Sequence, residues 1–481
     1  MTKERVGLEN DNAGMQGQAF LDRRLLAWLC ATELLMLGAI CTLYRGAGKP
    51  DLSVFLLSRP GGLFSVLVAG FGLTIGGAVF HVLRQGRLQW KRCGWTLGCN
   101  VVAFVGVLGL GEVVVRALTV DTLRGPRIAG LGLRPFVWKE IAERFAKKAE
   151  EQQWEQFHSF DPVLGWTVRP NSTGERGLFK SSAEGIRSSR VGIEYASTNP
   201  ACRIALIGDS FVFGEESEFE KSWGHQLELS LSNRCQVLNF GVGGYGLGQM
   251  YLRYNRDVSP FHPNVVIVGF TDGVVYRTFG VYGFLTFDPG YVPGPFPRYV
   301  FEDGRLKLIN VPLIHTKAIY SSQTVHDLPY IRYALEYQPT EWEMPGWRML
   351  SWSYMFRMYA TFFPLYSEER PEISFQKLHT VNGALFRRLA DDIRADGGVP
   401  LFVYFPSDKQ NNSAPVTRLP RSLEILRESG LPYFSLAGCL NQVDPDRRFL
   451  KKGDHYSEEG DSAVAQCLKP IVKDLLEGVS R

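Results

Sequence analysis

No single sign of charge dominates this chain. Its 481 residues carry 53 Lys or Arg against 49 Asp or Glu, a formal net charge of +4. A partner held through its phosphates needs a concentrated basic face, so no nucleic acid is expected. Metal-ligand spacing is missing as well. Neither paired Cys-x-x-Cys nor His-Glu-x-x-His occurs, and those are the spacings that hold zinc. No metal site is expected. A cleaved leader also fits poorly. The first apolar run has no small-x-small exit, and Cys41 follows Gly38-Ala39-Ile40, which does not suit lipoprotein processing.

Cysteine is scarce, at eight residues. Cys30, Cys41, Cys93 and Cys99 lie in or beside apolar runs. Cys202, Cys235, Cys439 and Cys467 remain for the polar part of the chain. An even number there permits two disulfides in an oxidising compartment; four buried free thiols are the alternative. Cys202 and Cys235 each start one of two neighbouring parallel strands, so they are expected side by side, within the Cα range of a disulfide.

A dinucleotide site is half present. Gly241-Val-Gly243-Gly-Tyr-Gly246 matches Gly-x-Gly-x-x-Gly after a strand. That site also needs an acidic residue at a strand end about twenty residues on. Val265 to Phe270 offers none, and Asp257 precedes that strand. No cofactor is expected.

Long apolar runs, by contrast, are abundant near the start. Arg24 to Tyr44, Gly62 to Leu83 and Gly94 to Val115 each reach the roughly 20 residues that span a bilayer. Residues 1–117 therefore read as a membrane anchor of three transmembrane helices, at about 24–44, 62–83 and 94–115, with the lipid bilayer as partner. Lys3, Arg5, Arg23 and Arg24 precede the first run, and Arg84, Arg87, Lys91 and Arg92 crowd the second loop. Arg45, Lys49 and Arg59, then Arg116, Arg124, Arg127 and Arg134, lie on the other side. The positive-inside rule, weighted by the short dense loop, puts the C-terminal domain outside the cytoplasm. Gly72-x-x-x-Gly76 and Gly94-x-x-x-Gly98 suit close helix packing. Glu33, Asn100 and Glu112 lie within the runs, and the two glutamates are expected to be paired among the three helices.

Residues 118–199 read as a linker helix and a lead-in segment. Trp138, Ile141, Phe145 and Ala149 recur at helical steps, a stripe that suits packing on the next domain or lying at a membrane interface. From there on, strand alternates with helix. Arg203-Ile-Ala-Leu-Ile, Val237-Leu-Asn-Phe, Val265-Val-Ile-Val-Gly, Pro400-Leu-Phe-Val-Tyr-Phe and Pro432-Tyr-Phe-Ser-Leu are apolar runs of strand length. Helical patterns at Trp223–Leu231, Leu247–Asp257, Leu378–Ala395 and Ser462–Leu476 separate or follow them. The order predicts an α/β fold, a parallel sheet covered on both faces, over 200–480. Residues 276–375 break the rhythm. They are rich in Pro, Gly and aromatics, Trp342, Trp347 and Trp352 among them. They read as an insertion over the sheet's carboxyl edge, suited to a sugar platform or to plain packing.

Ser210 follows directly on the first strand, where open α/β sheets bind ligands. The surrounding residues sharpen this. Gly208-Asp209-Ser210-Phe211, followed by Phe213-Gly214-Glu215, resembles the first block of the SGNH (GDSL-type) hydrolase superfamily. Asn239-Phe-Gly-Val-Gly-Gly244 resembles the second, and Gly269-Phe270-Thr271-Asp272 stands where the family has Gly-x-Asn-Asp. Asp454-His455-Tyr-Ser-Glu-Glu-Gly460 resembles the fifth. Asp161-Pro-Val-Leu-Gly-Trp166 and Glu184-Gly-Ile-Arg187 resemble lead-in segments of a bacterial membrane-anchored subgroup.

The resemblance implies a three-layer parallel-sheet domain of SGNH/flavodoxin-like type. It implies a membrane-anchored serine ester hydrolase or O-acyltransferase, acting on an acylated glycan or lipid substrate of the cell envelope. Ser210 would be the nucleophile and His455 its base. Asp454 would hold the imidazole, with Asp444 and Asp446 as remoter candidates. N–H groups of Ser210 and Gly244 and the side chain of Thr271 would hold the oxyanion. Thr271 replaces the family's asparagine, and Lys452 and Gly453 stand where its acid usually lies. A catalytically inactive SGNH-fold binding or assembly component of the envelope is the alternative.

Overall fold

Alternate residues of the Cys202–Ile207 segment point to opposite cores. Ile204 and Leu206 pack in one apolar cluster with Trp223, Leu227, Val265, Ile267, Leu468 and Val472. Ala205 and Ile207 pack in another with Leu238, Val266, Val268, Leu385, Phe386 and Phe402. A strand buried on both faces must read as an unbroken apolar run, since successive side chains alternate sides. This is why the sequence shows no polar alternation there. Each wholly buried Leu or Phe stabilises the fold by about 1.5–3 kcal/mol.

In the computed structural model the described residues are 102, 105–106 and 109–479, apart from 152–153, 233, 288–293, 344–348, 363–374, 408–418 and 451–454. The first two apolar runs and most of the third lie outside them. Among the described residues no helix is long and apolar enough to cross a membrane.

Five parallel strands form the central sheet: β1 (Cys202–Ile207), β2 (Cys235–Asn239), β3 (Val265–Phe270), β4 (Val399–Tyr404) and β5 (Tyr433–Ser435). Their spatial order is β5-β4-β3-β1-β2. Register pairs Ile204 with Val237 on one side of β1 and with Val265 on the other. Chain order thus reverses between β1 and β3, leaving a crevice at their carboxyl ends. Helix α1 (Trp223–Ser230) and helix α4 (Glu458–Val479) cover one face. Helix α2 (Leu247–Arg253) and helix α3 (Phe375–Ala395) cover the other.

The cysteines follow the register. Cys202 pairs with Cys235 across β1 and β2, and the two are disulfide-bonded with Cα atoms 4.6 Å apart. Cys439 and Cys467 form a second disulfide, at 6.2 Å.

The lead-in helix packs on the following domain, one of the two placements its apolar stripe suits. Residues 137–339 and 369–481 belong to one compact unit. Trp138, Ile141 and Phe145 are buried, and Trp138 and Phe145 pack on Phe284 and Tyr320. The aromatic insertion is divided between two units. Its first part, with the hairpin Tyr299–Glu302 and Arg305–Leu308, joins the sheet-bearing unit, where Tyr299 enters the core. Residues 340–368 belong to a smaller unit with 126–136 and the described residues up to Thr122. Trp342 is no sugar platform. It is buried against Phe136, with centroids 5.4 Å apart. Trp347 lies outside the described residues, and Trp352 is exposed.

Within the smaller unit, Glu112 meets the start of a helix, and the first two apolar runs lie outside the described residues. Its carboxylate accepts hydrogen bonds from the backbone N–H groups of Tyr354 and Met355 and from Ser353 Oγ, each at 2.9 Å. Arg116 completes the set at 2.6 Å. The N-terminus of helix Tyr354–Phe362 has free N–H donors and a positive dipole end, so it attracts a carboxylate.

Candidate active site

Three loops meet at the carboxyl edge around the β1–β3 crevice. The first leaves β1 at Gly208. Asp209 caps a single helical turn, Ser210–Phe213, and its carboxylate accepts the Phe211 N–H at 3.1 Å. Ser210 is the first residue of that turn and is almost wholly buried. The approach is tight. A Cβ on Gly208 would lie 2.2 Å from Val212 and 2.6 Å from the Gly269 carbonyl. Glycine is needed where a loop passes this close to the next strand.

The second loop leaves β2. Asn239 joins it to the first, donating to the Val212 carbonyl at 2.8 Å and accepting the Gly241 N–H at 2.9 Å. A Cβ on Gly241 would lie 2.5 Å from Phe213 N. Gly244 has φ +78°, a left-handed conformation that glycine adopts freely. The lead-in braces this loop: Trp166 Nε1 donates to the Gly243 carbonyl at 3.1 Å, and Tyr245 Oη donates to the Trp166 carbonyl at 2.6 Å.

The third loop leaves β3. Thr271 does not point a free hydroxyl at the crevice. Its Oγ1 donates to Asp209 Oδ2 at 2.9 Å. The same carboxylate oxygen takes a hydrogen bond from Arg277 Nη1 at 2.8 Å. Asp209 has no exposure at all, and a buried carboxylate needs both a counter-charge and hydrogen bonds. Arg277 and Thr271 supply them. Asp272 serves structure instead, accepting the Ser422 N–H at 2.8 Å.

His455 arrives from the segment before α4 and packs its ring on Phe211, centroids 5.1 Å apart. Its two ring nitrogens face two carboxylates. Nδ1 is 3.3 Å from Glu216 Oε2 and Nε2 is 3.5 Å from Glu215 Oε2. Among the described residues no hydrogen bond joins Ser210 Oγ to His455. Asp454 lies outside the described residues. Asp444 caps a short helix, accepting the Asp446 N–H at 3.0 Å.

Sequence reasoning placed Glu215 in the first block without a role, and passed over Glu216 and Arg277. Glu215 and Glu216 stand close behind the serine, a signal that was readable; Arg277 carried none. The stretch after Ser210 is held by Arg187, a buried guanidinium that donates to the carbonyls of Phe213, Gly214 and Ser217. Ser217 Oγ in turn donates to Asp461 of α4 at 2.9 Å. Burial lifts the Asp461 carboxyl to about 7 from its ordinary 3.8, because a charge loses its water there. For metals, no cluster of three or more His, Cys, Asp or Glu residues is found among the described residues.

No protein-family model and no curated protein matches the chain. Solved structures do. One is a protein described as lipolytic, of the G-D-S-L family, from Desulfitobacterium hafniense, at 13% identity and TM-score 0.29, covering 56% of this chain and 99% of its own. A lipase/acylhydrolase from Enterococcus faecalis matches at 11% identity and TM-score 0.29, covering 56% and 96%. An acetylxylan esterase from Geobacillus stearothermophilus matches at 13% and 0.30, covering 57% and 95%. Likeness at this level does not assign an activity, which has to be argued from the chain's own residues.

Proposed function

We propose that this protein is a membrane-anchored serine ester hydrolase or O-acyltransferase of the SGNH type, with Ser210 as nucleophile and His455 as base. The observation that carries it is the place of Ser210. It heads a helical turn at the β1 end of the crevice, on a loop tied to the Gly244 loop through Asn239 and to the Thr271 loop through Asp209. The four ordered sequence blocks fall on these loops and on the His455 segment.

The chemistry follows from the parts. A serine hydroxyl attacks an ester only when a base removes its proton. His455 takes that proton at Nε2 and returns it to the leaving alkoxide. A carboxylate at Nδ1 holds the ring and stabilises the imidazolium. Glu216 faces that nitrogen in the described structure, and Asp454 is the neighbouring candidate from sequence. The tetrahedral oxyanion is met by the N–H groups of Ser210 and Gly244. Thr271, whose hydroxyl hydrogen goes to Asp209, gives no third donor in this state. Loss of one such donor costs about 10²–10³ in rate, so an activated ester is the better assay substrate. Hydrolase and transferase differ in whether water or a sugar hydroxyl receives the acyl group.

The three apolar runs support a multi-pass anchor and a substrate near the membrane, an acylated envelope glycan or lipid. The two cysteine pairs support an extracytoplasmic catalytic domain. A second reading is a non-catalytic envelope component. The Thr271–Asp209 bond and the two carboxylates facing His455 favour it.

The test uses the full chain in detergent. Turnover of an aryl acetate and fluorophosphonate labelling are expected in the parent, with both lost in Ser210→Ala. An inert, unlabelled parent protein that is folded would select the non-catalytic reading.

A further inference from the structure

We infer that Arg277 is the positioning residue of this site: one guanidinium nitrogen sets the two oxyanion-donor loops against each other. This rests on the ester-hydrolase reading and deepens it. Ser210 and Gly244 lie on separate loops, after β1 and β2. An oxyanion hole works only if its two N–H groups converge on one point within a few tenths of an ångström.

Arg277 Nη1 makes two contacts. It donates to Asp209 Oδ2 at 2.8 Å and to the Tyr245 carbonyl at 3.2 Å. Asp209 immediately precedes Ser210, and Tyr245 immediately follows Gly244. The same nitrogen therefore touches the residue next to each donor. Thr271 joins from the β3 side through Asp209 Oδ2, so the β1 and β3 loops meet on that carboxylate oxygen and the β2 loop joins them through Arg277 Nη1.

The seat for Arg277 is shaped for it. A Cβ on Gly273 would lie 3.1 Å from its Nη2, and one on Gly246 would lie 2.9 Å from its backbone carbon. The Phe287 ring lies under the guanidinium, 5.4 Å away. The Arg277 side chain keeps 18% of its exposure while Asp209 keeps none. The cation is thus the member of the pair that stands toward solvent, close to where negative charge would develop.

Lysine carries the charge but not the planar fork, and methionine carries neither. In the full chain, Arg277→Met is expected to lower kcat for an aryl acetate about 10²-fold, a loss comparable to removing one oxyanion donor. KM should stay within about twofold, and fluorophosphonate labelling should slow in parallel. Arg277→Lys should recover part of kcat. The double variant Asp209→Asn/Arg277→Met removes the uncompensated buried charge. It should regain thermal stability while kcat stays low, because the bridge is still absent. Parent-like kcat in Arg277→Met, or a double variant that regains both stability and kcat, would overturn the positioning role. An inert parent would instead sink the enzyme reading itself.

Discussion

His455 Nδ1 lies 3.3 Å from Glu216 Oε2, so the imidazole finds an acid behind the serine and not only beside itself in sequence. Glu216→Gln keeps the shape and removes the charge. It is expected to lower kcat for an aryl acetate by about 10² or more, with KM little changed, since a triad acid acts on the transition state. Asp454→Asn is the parallel measurement. A larger loss there than in Glu216→Gln would move the acid role to Asp454.

Glu215 stands on the other ring nitrogen, 3.5 Å from Nε2, where the serine hydroxyl must come. Catalytic hydrogen bonds often tighten only when substrate binds. Serine labelling by a fluorophosphonate in Glu215→Gln is therefore expected to be at least as fast as in the parent. Slower labelling by tenfold or more would make Glu215 part of the machinery.

Asp461 gives the fold a pH dependence. Its carboxyl is held near 7 by burial, against 3.8 in an unfolded chain. Between those values the folded state keeps a proton that the unfolded state has lost. Stability from this group is full below about pH 4, declines as pH rises, and is gone above about pH 7. Asp461→Asn retains an acceptor for Ser217 and removes the titration. Its Tm should gain on the parent as pH is raised from 4 to 8. Parallel Tm curves would show that Asp461 does not titrate in this window.

The Cys202–Cys235 disulfide joins adjacent strands across a sequence separation of 33 residues. Cys202→Ser/Cys235→Ser is expected to cost about 2–4 kcal/mol, chiefly by freeing the unfolded chain. Denaturant unfolding under non-reducing conditions measures it. Alkylation of the unreduced, denatured parent should leave Cys202, Cys235, Cys439 and Cys467 unmodified. Ready alkylation of the four would argue against an oxidising compartment.

Glu112 caps helix Tyr354–Phe362 from 241 to 243 residues away. Glu112→Ala is expected to cost about 1 kcal/mol of local stability. Hydrogen exchange at the Tyr354 and Met355 amides should speed up accordingly, and unchanged exchange would mean that the cap contributes nothing.

The sheet was legible because its signal is local. Ile204 to Ile207 and Val265 to Phe270 must be continuously apolar to be buried on two faces, and that pattern survives in one dimension. The places of Ser210 and Gly244 on loops that leave the sheet were legible for a related reason: a loop leaving a buried strand has little room, so glycine, small polar residues and capping carboxylates mark it. Strand order was not written in any segment. The 2-1-3-4-5 arrangement is a property of the whole sheet, and it decides which loops meet.

The long-range polar contacts were therefore set only by tertiary structure. Asp209 and Arg277 are 68 residues apart, and Glu216 and His455 are 239 apart. An arginine or a glutamate at such a position looks like any solvated charge until the sheet brings β1 beside β3 and sets the His455 segment over the first loop. The aromatic insertion shows the same limit. Its composition predicted a folded segment, but Trp342 was assigned to packing, and the segment was divided between two units, by neighbours distant in sequence. Burial pattern is a property of each element alone; electrostatic partnership belongs to pairs of elements, and only the fold chooses the pairs.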